Sequence, residues 1–224
     1  MNAVSHLYSL IDGLDISDLI VATHNRGKWE EFQYFLQDWP CNIRQGDFLM
    51  EPEETGRTFV ENALLKAKQA ATTAKTWCLG DDAGIQIHCL NHFPGVHTKR
   101  FAEEQGGWEK ATDVLLQQID AYVKQSLLQE PIIATYHCAL ALVDATGERV
   151  FTTEGIATGK IVTGTLLDIC RKTIHQKSPS IAFEPIFYMD DHQSTYTMME
   201  PQKRLHHHYR HQAIRLLQQQ IFIS

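Results

Sequence analysis

Apolar positions recur in two spacings along the chain, and together they predict an α/β fold. Residues 19–23 form a short β-prone run that predicts a buried strand. Residues 29–36 then follow a helical spacing, and residues 41–45 predict a second strand. The clearest helix start comes next, because Thr58 and Glu61 have the spacing of a capping box.

The helix after Thr58 carries one narrow stripe of mostly small residues. At steps of three and four, its members are Phe59, Ala63, Ala67, Ala70 and Ala74. A helix with such a stripe can lie close against a sheet. Lys66 and Lys68 fall off the stripe, which predicts solvent-facing side chains, although Asn62 or Lys66 could reach a ligand from the first turns.

Beyond residue 84 the patterns predict a strand, an amphipathic helix, an antiparallel hairpin and a final helix. These segments are residues 85–90, 108–125, 132–143 with 149–153, and 203–221. Residues 164–180 are ambiguous and could form a short helix.

The composition is that of a globular protein, and the length suits one sizeable domain or two lobes that share a sheet. The 224 residues are 43% apolar and 21% charged, and no apolar run approaches the roughly 18 residues that span a bilayer. Residues 1–18 lack the basic start and apolar core of a secretory signal. We therefore expect an N-terminal extension over residues 1–18 and a single domain over 19–224.

Cysteine usage and charge narrow the possible partners. Five widely spaced cysteines without a Cys-x-x-Cys pair predict reduced thiols in the cytoplasm rather than disulfides or a cysteine-based zinc site. The net charge of −7 disfavours broad attraction to nucleic acid, and we expect no membrane partner. A polyanionic small ligand would need a local cationic pocket, a bound metal or both.

Candidate chemistry centres on residues 77–84, where an apolar run leads into Asp81 and Asp82. Neighbouring side chains on a strand point to opposite faces, so the two aspartates cannot share one environment. One of them would project into a cleft at the strand end. A solvated turn is the alternative, since Asp and Gly are common turn formers.

Two other loops carry possible ligand-binding residues. In residues 23–28, a polar loop with a glycine joins a strand to a helix start, which is typical of an anion site, and Lys28 adds a charge there. An ordinary strand-to-helix turn is the alternative. The acidic loop of residues 51–56 is most simply a solvated face.

The C-terminal histidines invite a metal interpretation. Consecutive residues on a helix point in different directions, so among residues 206–208 only His207 shares a face with His211. We favour a cationic patch near an anion over a zinc site. Neither a P-loop nor a Gly-x-Ser-x-Gly motif is present in the sequence.

Several motifs occur together and in order. They are Thr23-His24-Asn25-Arg26-Gly27-Lys28, Glu53-Glu54-Thr55-Gly56 with Thr58-Phe59-x-Glu61-Asn62-Ala63-x-x-Lys66-Ala67, and Asp81-Asp82-Ala83-Gly84 followed by Phe93-Pro94-Gly95-Val96. As a set, over residues 19–220, they resemble the inosine triphosphate pyrophosphatase family (Ham1-like or RdgB-like). Looser matches follow at Tyr136-His137-Cys138, Glu154-Gly155, Glu184-Pro185-Ile186-Phe187 and Arg210-x-x-Ala213.

The resemblance implies a fold and an activity. The fold would be a long, twisted mixed β-sheet with flanking helices, in two lobes around a nucleotide cleft, and a homodimer is possible. The activity would be Mg²⁺-dependent attack of water on the α-phosphate of deaminated purine nucleoside triphosphates, which releases pyrophosphate and a nucleoside monophosphate. Such an enzyme cleans the nucleotide pool.

The resemblance also assigns roles by position. Glu53 and Asp82 would be the metal ligands, and Asp82 would also orient or deprotonate the water. The phosphates would be held by Thr23, Asn25 and Lys28, with Asn62 and Lys203 assisting. The base and the rest of the substrate would meet Ala83, Ile181, Ala182, Phe183, Glu184, Lys203, Tyr209 and Arg210.

This chain departs from the usual family motifs at four places. His24 stands where glycine is usual, and Ala83 stands where serine is usual. The usual Gly-Phe-Gly-Tyr/Trp-Asp is replaced by Ser180-Ile181-Ala182-Phe183-Glu184, and the usual Ser-His-Arg by His208-Tyr209-Arg210. The phosphate and metal half of the motif set therefore remains, while the half that would select the base is remodelled. The preferred base is accordingly open.

Two other functions stay open beside the pyrophosphatase. A non-catalytic nucleotide-binding or regulatory descendant is one, and the presence of Lys28, Glu53 and Asp82 counts against it. A phosphohydrolase with a changed substrate, such as a monophosphate, is the other. The absence of a nucleophile-like Asp-x-Asp near a strand end counts against that.

Overall fold

The computed structural model describes residues 9–10, 14–126, 131–162, 183–206 and 208–223. The ambiguous segment 164–180 lies outside these ranges. The helices are α1 (Arg26–Phe35), α2 (Phe59–Ala74), α3 (Thr98–Glu104), α4 (Trp108–Ser126), α5 (Pro201–His206) and α6 (Tyr209–Ile221). The strands are β1 (Ser9–Leu10), β2 (Asp18–Ala22), β3 (Asn42–Gln45), β4 (Trp77–Ile87), β5 (Phe93–Pro94), β6 (Ile132–Val143), β7 (Val150–Ile161), β8 (Phe187–Met189), β9 (Ser194–Thr195) and β10 (Phe222–Ile223). The α/β class is confirmed.

The main sheet is mixed, as predicted. Its strand order is β3-β2-β4-β6-β7-β8-β9, with β5 paired to β4. Strand β2 runs parallel to both β3 and β4, with Val21 opposite Leu79. Strands β5, β8 and β9 pair antiparallel with their neighbours. Strands β6 and β7 are adjacent and joined by a short turn, which confirms the hairpin because parallel neighbours need a much longer crossover.

The chain divides into two compact units. The first consists of Met1–Asp82, Ala139–Gly155 and Arg210–Ser224, and the second of Ala83–Cys138 and Ile156–Tyr209. In the first unit, the three central residues of β2 are fully buried. In the second, the rings of Tyr136, Phe187 and Tyr196 pack together. The nucleotide cleft between lobes stays a prediction.

Helix α2 packs on the sheet through its small residues. The capping box of Thr58 and Glu61 is formed, and Ala63, Ala67 and Ala70 are buried. A Cβ added at Gly80 of β4 would overlap Ala63 O and would lie 2.7 Å from Ala67 N. Only a glycine allows this close approach of helix and strand backbones, and the approach places α2 directly beside Asp81 and Asp82.

Part of the predicted extension makes contacts within the first unit. Strand β1 pairs antiparallel with β10, so Leu10 lies opposite Phe222. Ile16 is buried, and Trp77 Nε1 donates a hydrogen bond to Asp15 O at 2.9 Å. The division of the chain into an extension and one domain stays a prediction.

Two predicted elements end differently in the structure. The strand predicted over 85–90 ends at Ile87, because Asn91 and His92 adopt positive φ and turn the chain back so that β5 pairs with β4. The helix predicted over 203–221 is two helices, α5 and α6. Adjacent residues of one helix point about 100° apart, whereas His208 and Tyr209 both reach one carboxylate, described below.

The described residues bear on two expectations, the reduced state of the cysteines and the lack of a membrane partner. The described cysteines Cys41, Cys78, Cys89 and Cys138 are free, as expected for reduced thiols, and Cys170 lies outside the described residues. Within the described ranges, no helix has both the length and the apolar character needed to cross a membrane.

We predict that Gly80→Ala destabilises the protein by about 3 kcal/mol, because the added methyl group meets helix backbone that cannot move aside easily. Chemical denaturation measures the free energy of unfolding. Lys68→Ala, at an exposed position of the same helix, is the matched control and should change it by less than about 0.5 kcal/mol. Equal stability of the two variants would contradict the close packing.

Candidate active site

The loop between β2 and α1 has the geometry of an anion site. Thr23 Oγ1 accepts a hydrogen bond from Asn25 N at 3.2 Å. Asn25 is the N-cap of α1, and its Oδ1 accepts from Lys28 N at 3.1 Å. The positive end of the helix dipole therefore faces this loop. Three of the predicted phosphate-binding residues, Thr23, Asn25 and Lys28, therefore lie within six residues of the chain.

His24 ties the same loop to the segment after β3. Its Nε2 lies 2.7 Å from Leu49 O, and because a carbonyl oxygen only accepts, Nε2 is the donor. Its Nδ1 lies 3.7 Å from Glu51 Oε1. The side chain that stands in place of the usual family glycine thus anchors a neighbouring loop.

Asp81 is a fully buried carboxylate between two cations. Lys28 Nζ lies 3.0 Å from Asp81 Oδ2, and an Arg210 guanidinium nitrogen donates to the same oxygen at 3.2 Å. Burial alone would raise the pKa of Asp81, but the charges of Lys28, Arg210 and Lys66 hold it well below its usual range. Asp81 is therefore ionised, and in this arrangement Lys28 is its ion-pair partner.

Arg210 is buried in the first turn of α6. One of its terminal nitrogens contacts Glu31 of α1, and the other contacts Asp81. The guanidinium carbon also lies 5.5 Å from the ring centroid of Phe32. These contacts place Arg210, a predicted base-binding residue, in an ion network of the first unit.

Asp82 points away from that network toward α2. Its Oδ2 accepts a hydrogen bond from Asn62 Nδ2 at 3.0 Å, while Asn62 Oδ1 accepts from Gly56 N at 2.8 Å. Burial raises the pKa of Asp82, and the opposing charges of Lys66 and Lys28 do not outweigh it. A carboxylate with a raised pKa is suited to accept a proton. Asn62, predicted to assist phosphate binding, orients this carboxylate.

Lys66 is buried, so the prediction that it faces solvent is wrong. Its Nζ lies 2.5 Å from Glu54 Oε1 and 3.6 Å from Asp82 Oδ1, and it donates to Asp81 O at 3.2 Å. The carboxylates raise the pKa of Lys66 although burial opposes them. The sequence carried one signal for this, because Lys66 lies four residues after Asn62 and hence on the same helix face.

The carboxylates around Lys66 suit a hard divalent cation. Asp82 and Glu54 offer oxygen donors to one shared ammonium group, and Mg²⁺ prefers one or two carboxylates with waters and phosphate oxygens. Glu53, a predicted metal ligand, has an exposed side chain in the same loop as Glu54. Across the described part of the chain, no cluster of three His, Cys, Asp or Glu side chains could hold a metal by itself.

The second unit contains most of the residues that the resemblance assigns to the base. Glu184 is buried, and its Oε1 accepts from Tyr209 Oη at 3.0 Å and lies 3.2 Å from His208 Nε2. Burial would raise the pKa of Glu184, but the hydrogen bonds and charges of its neighbours, with His208 first, lower it. His208 thus contacts a buried acid, and the predicted cationic patch near an anion stays a prediction.

The other assigned residues differ in exposure. Phe183 is fully buried and packs edge-on against Trp108, with ring centroids 5.7 Å apart. Tyr209 stacks on Tyr136 with centroids 4.8 Å apart. Ala83 is half-buried and Lys203 is exposed. The predicted residues Ile181 and Ala182 and the histidine His207 lie outside the described residues.

Comparison with known proteins gives consistent matches along the chain. A family model described as the Ham1 family matches residues 19–220. A dITP/XTP pyrophosphatase from Nostoc sp. is 32% identical over 186 residues, which cover 82% of this chain and 84% of the relative. A dITP/XTP pyrophosphatase from Coxiella burnetii is 30% identical over 203 residues, which cover 89% and 94% of the two chains.

Solved structures match the fold as well. A HAM1 protein from Coxiella burnetii superposes with a TM-score of 0.76 at 27% identity, covering 91% of this chain and 98% of that one. The Ham1 protein of Staphylococcus aureus superposes with a TM-score of 0.71 at 25% identity, covering 90% and 96%. Both similarities extend over nearly the whole of each chain.

We predict that the two adjacent aspartates differ in their effect on stability. Asp81→Asn should lower the free energy of unfolding at pH 7 by about 3 kcal/mol, because it leaves buried cations without their partner. Asp82→Asn should change it by less than about 1 kcal/mol, because an amide keeps the bond from Asn62 and avoids a buried charge. Urea denaturation measures both.

The pH dependence of the Asp81→Asn deficit follows from the lowered pKa of Asp81. A carboxyl whose folded-state pKa lies below its unfolded value stabilises the protein above the unfolded pKa, and that contribution is lost as the pH falls. The difference from wild type should therefore shrink below about pH 4. A deficit that is constant from pH 7 to pH 3 would contradict an ionised, paired Asp81.

Proposed function

Because the chain belongs to the Ham1 family, we propose that it hydrolyses nucleoside triphosphates to a nucleoside monophosphate and pyrophosphate. The substrates are deaminated purine nucleotides, in keeping with relatives named for dITP and XTP, and the reaction removes them from the nucleotide pool. The observation that carries the proposal is the buried pair of aspartates on β4, in which Asn62 orients Asp82 and Lys28 of α1 contacts Asp81.

The residues of the first unit supply the parts of this reaction. A water oxygen bonds to the α-phosphorus, the bond from that phosphorus to the oxygen bridging to the β-phosphorus breaks, and pyrophosphate leaves with the bonding electrons. Asp82 orients the water or accepts its proton, which is the role that the resemblance assigns to it. The N–H groups at the start of α1 and the Lys28 ammonium bind phosphate oxygens and stabilise their charge.

A divalent cation, Mg²⁺ in this proposal, fits the acidic side of the site. Asp82 and Glu53 are the ligands that the resemblance assigns, and the contact of Glu54 with Lys66 makes Glu54 a further candidate. When bound, such a cation neutralises phosphate charge and favours ionisation of a water molecule. The Lys66 ammonium lies near both Glu54 and Asp82 and compensates part of their negative charge.

Binding of the base is assigned to residues of the second unit. The candidates are Ala83, Phe183, Glu184, Lys203 and Tyr209. The bonds to Glu184 from His208 and Tyr209 support a fixed polar group there. Phe183 is fully buried, so it shapes the surroundings rather than stacking on a base from the surface. Ile181 keeps its place among the base-binding candidates by resemblance alone.

The partner in this proposal is a small nucleotide. The net charge of −7 disfavours a nucleic acid. A homodimer and a cytoplasmic location stay predictions from the sequence.

We predict that pyrophosphate is released from dITP, ITP and XTP in the presence of Mg²⁺ and falls to background when the metal is chelated. The assay is a pyrophosphate-release measurement over a panel that includes ATP, GTP and the nucleoside monophosphates. Because segments 180–184 and 208–210 are altered, the rates for the different bases should be compared to find which base is preferred. Binding without pyrophosphate release would indicate a non-catalytic protein, and free phosphate from a monophosphate would indicate a phosphatase.

We predict that Asp82→Asn lowers kcat by at least about a thousandfold, because an amide cannot accept the proton of the attacking water. The loss should occur without a loss of stability, as argued above from the surroundings of Asp82. Asp120→Asn, at an exposed carboxylate paired with Lys124, is the matched control and should leave kcat unchanged. Steady-state kinetics measure kcat for both variants. An unchanged kcat in Asp82→Asn would mean that the attacking water does not transfer its proton to Asp82.

A further inference from the structure

A single carboxylate oxygen in the first unit serves two cations. Lys28 Nζ lies 3.0 Å and an Arg210 nitrogen lies 3.2 Å from the same Asp81 Oδ2. The carboxylate itself is fully buried. A carboxylate in such a place needs a cation at all times, because an uncompensated buried charge is strongly unfavourable.

The two cations differ in how firmly they are held. The side chain of Lys28 is 23% exposed, whereas that of Arg210 is 4% exposed. Arg210 also contacts Glu31 and lies over the ring of Phe32. An ammonium on a flexible stem changes partners easily, while a planar guanidinium fixed by two acids and a ring does not.

We propose that Arg210 is a positioning residue, which holds the Asp81 carboxylate in place and compensates its charge when Lys28 leaves it for a phosphate group of the substrate. The inference rests on the proposed function in one respect, the binding of the triphosphate by Lys28. It gives Arg210 a role at the phosphate end of the substrate, in contrast to the base contact that the resemblance assigns.

The arrangement explains how Lys28 serves two partners. Lys28 follows the N-cap Asn25 by three residues, so its side chain starts at the anion-binding turn. Without a ligand, the Asp81 carboxylate neutralises it. When a polyphosphate arrives, Lys28 exchanges one anion for another, and Asp81 keeps Arg210. If Arg210 were absent, the departure of Lys28 would leave Asp81 without either of its contacting cations, so phosphate binding would be opposed.

Inorganic tripolyphosphate tests the proposal because it has phosphates and no base. We expect Arg210→Gln to weaken its binding, measured by calorimetry, by about tenfold. Arg26→Gln removes a charge from the same end of α1, where Arg26 is exposed and paired with Glu30. This matched control should change the affinity by less than about threefold. If Arg210→Gln weakens tripolyphosphate binding no more than Arg26→Gln does, the proposal is overturned.

A second comparison separates a positioning role from a base contact, and it also decides the matter if Arg210→Gln alone fails to fold. In Asp81→Asn the carboxylate that Arg210 compensates is absent, so adding Arg210→Gln should change the affinity for inosine triphosphate, measured without divalent metal, by less than about threefold. If Arg210 instead contacted the base, adding Arg210→Gln to Asp81→Asn would weaken nucleotide binding by more than about threefold, and that result would overturn the proposal.

A failure of the positioning role of Arg210 can be distinguished from a failure of the proposed catalytic function. If wild-type protein binds tripolyphosphate but releases no pyrophosphate from any triphosphate, the catalytic proposal fails and the comparison of Arg210→Gln with Arg26→Gln still decides the positioning role. Wild-type protein that binds no tripolyphosphate, yet releases pyrophosphate from a nucleotide, would overturn the positioning role and leave the catalytic proposal standing.

Discussion

The first unit is organised around the burial of two adjacent carboxylates on one strand. Alternation along β4 sends Asp81 and Asp82 to opposite faces, and each face supplies a different kind of compensation. Asp81 meets two cations on one oxygen, whereas Asp82 meets the amide of Asn62 at hydrogen-bond distance and the ammonium of Lys66 at 3.6 Å. The pKa values consequently move in opposite directions. One acid is a fixed charge, and its neighbour is able to exchange a proton.

This division of labour depends on how closely α2 lies against β4. The packing that Gly80 permits brings the backbone of Ala63 and Ala67 onto the strand. The neighbouring positions on the same turns, Asn62 and Lys66, are then buried next to the carboxylates. A helix held farther away by larger side chains would leave these two groups short of Asp82. The small-residue stripe is thus a condition for the chemistry as well as for the packing.

The sequence predicted the elements that depend on local patterns. The strand, polar loop and helix around Thr23–Lys28, the capping box at Thr58 and the stripe on α2 all depend on residues close together in the chain, and the structure contains them. The partners of Asp81 did not follow from local pattern, because Arg210 is 129 positions away in the chain. Whether Lys66 faced solvent or the acids depended on the approach of α2 to the strand, which no spacing alone fixes.

Each residue of the altered segment 208–210 contacts at least one acidic side chain. His208 and Tyr209 both contact Glu184, and Arg210 contacts Asp81 and Glu31. In the usual motifs of the family, aspartate stands at the position of Glu184. Serine stands at the position of His208, and histidine at that of Tyr209. The longer acid and its two new neighbours meet one another in this chain, so these three departures form one changed hydrogen-bonded group. Arg210, which contacts a different acid, is the member of the motif that stayed the same.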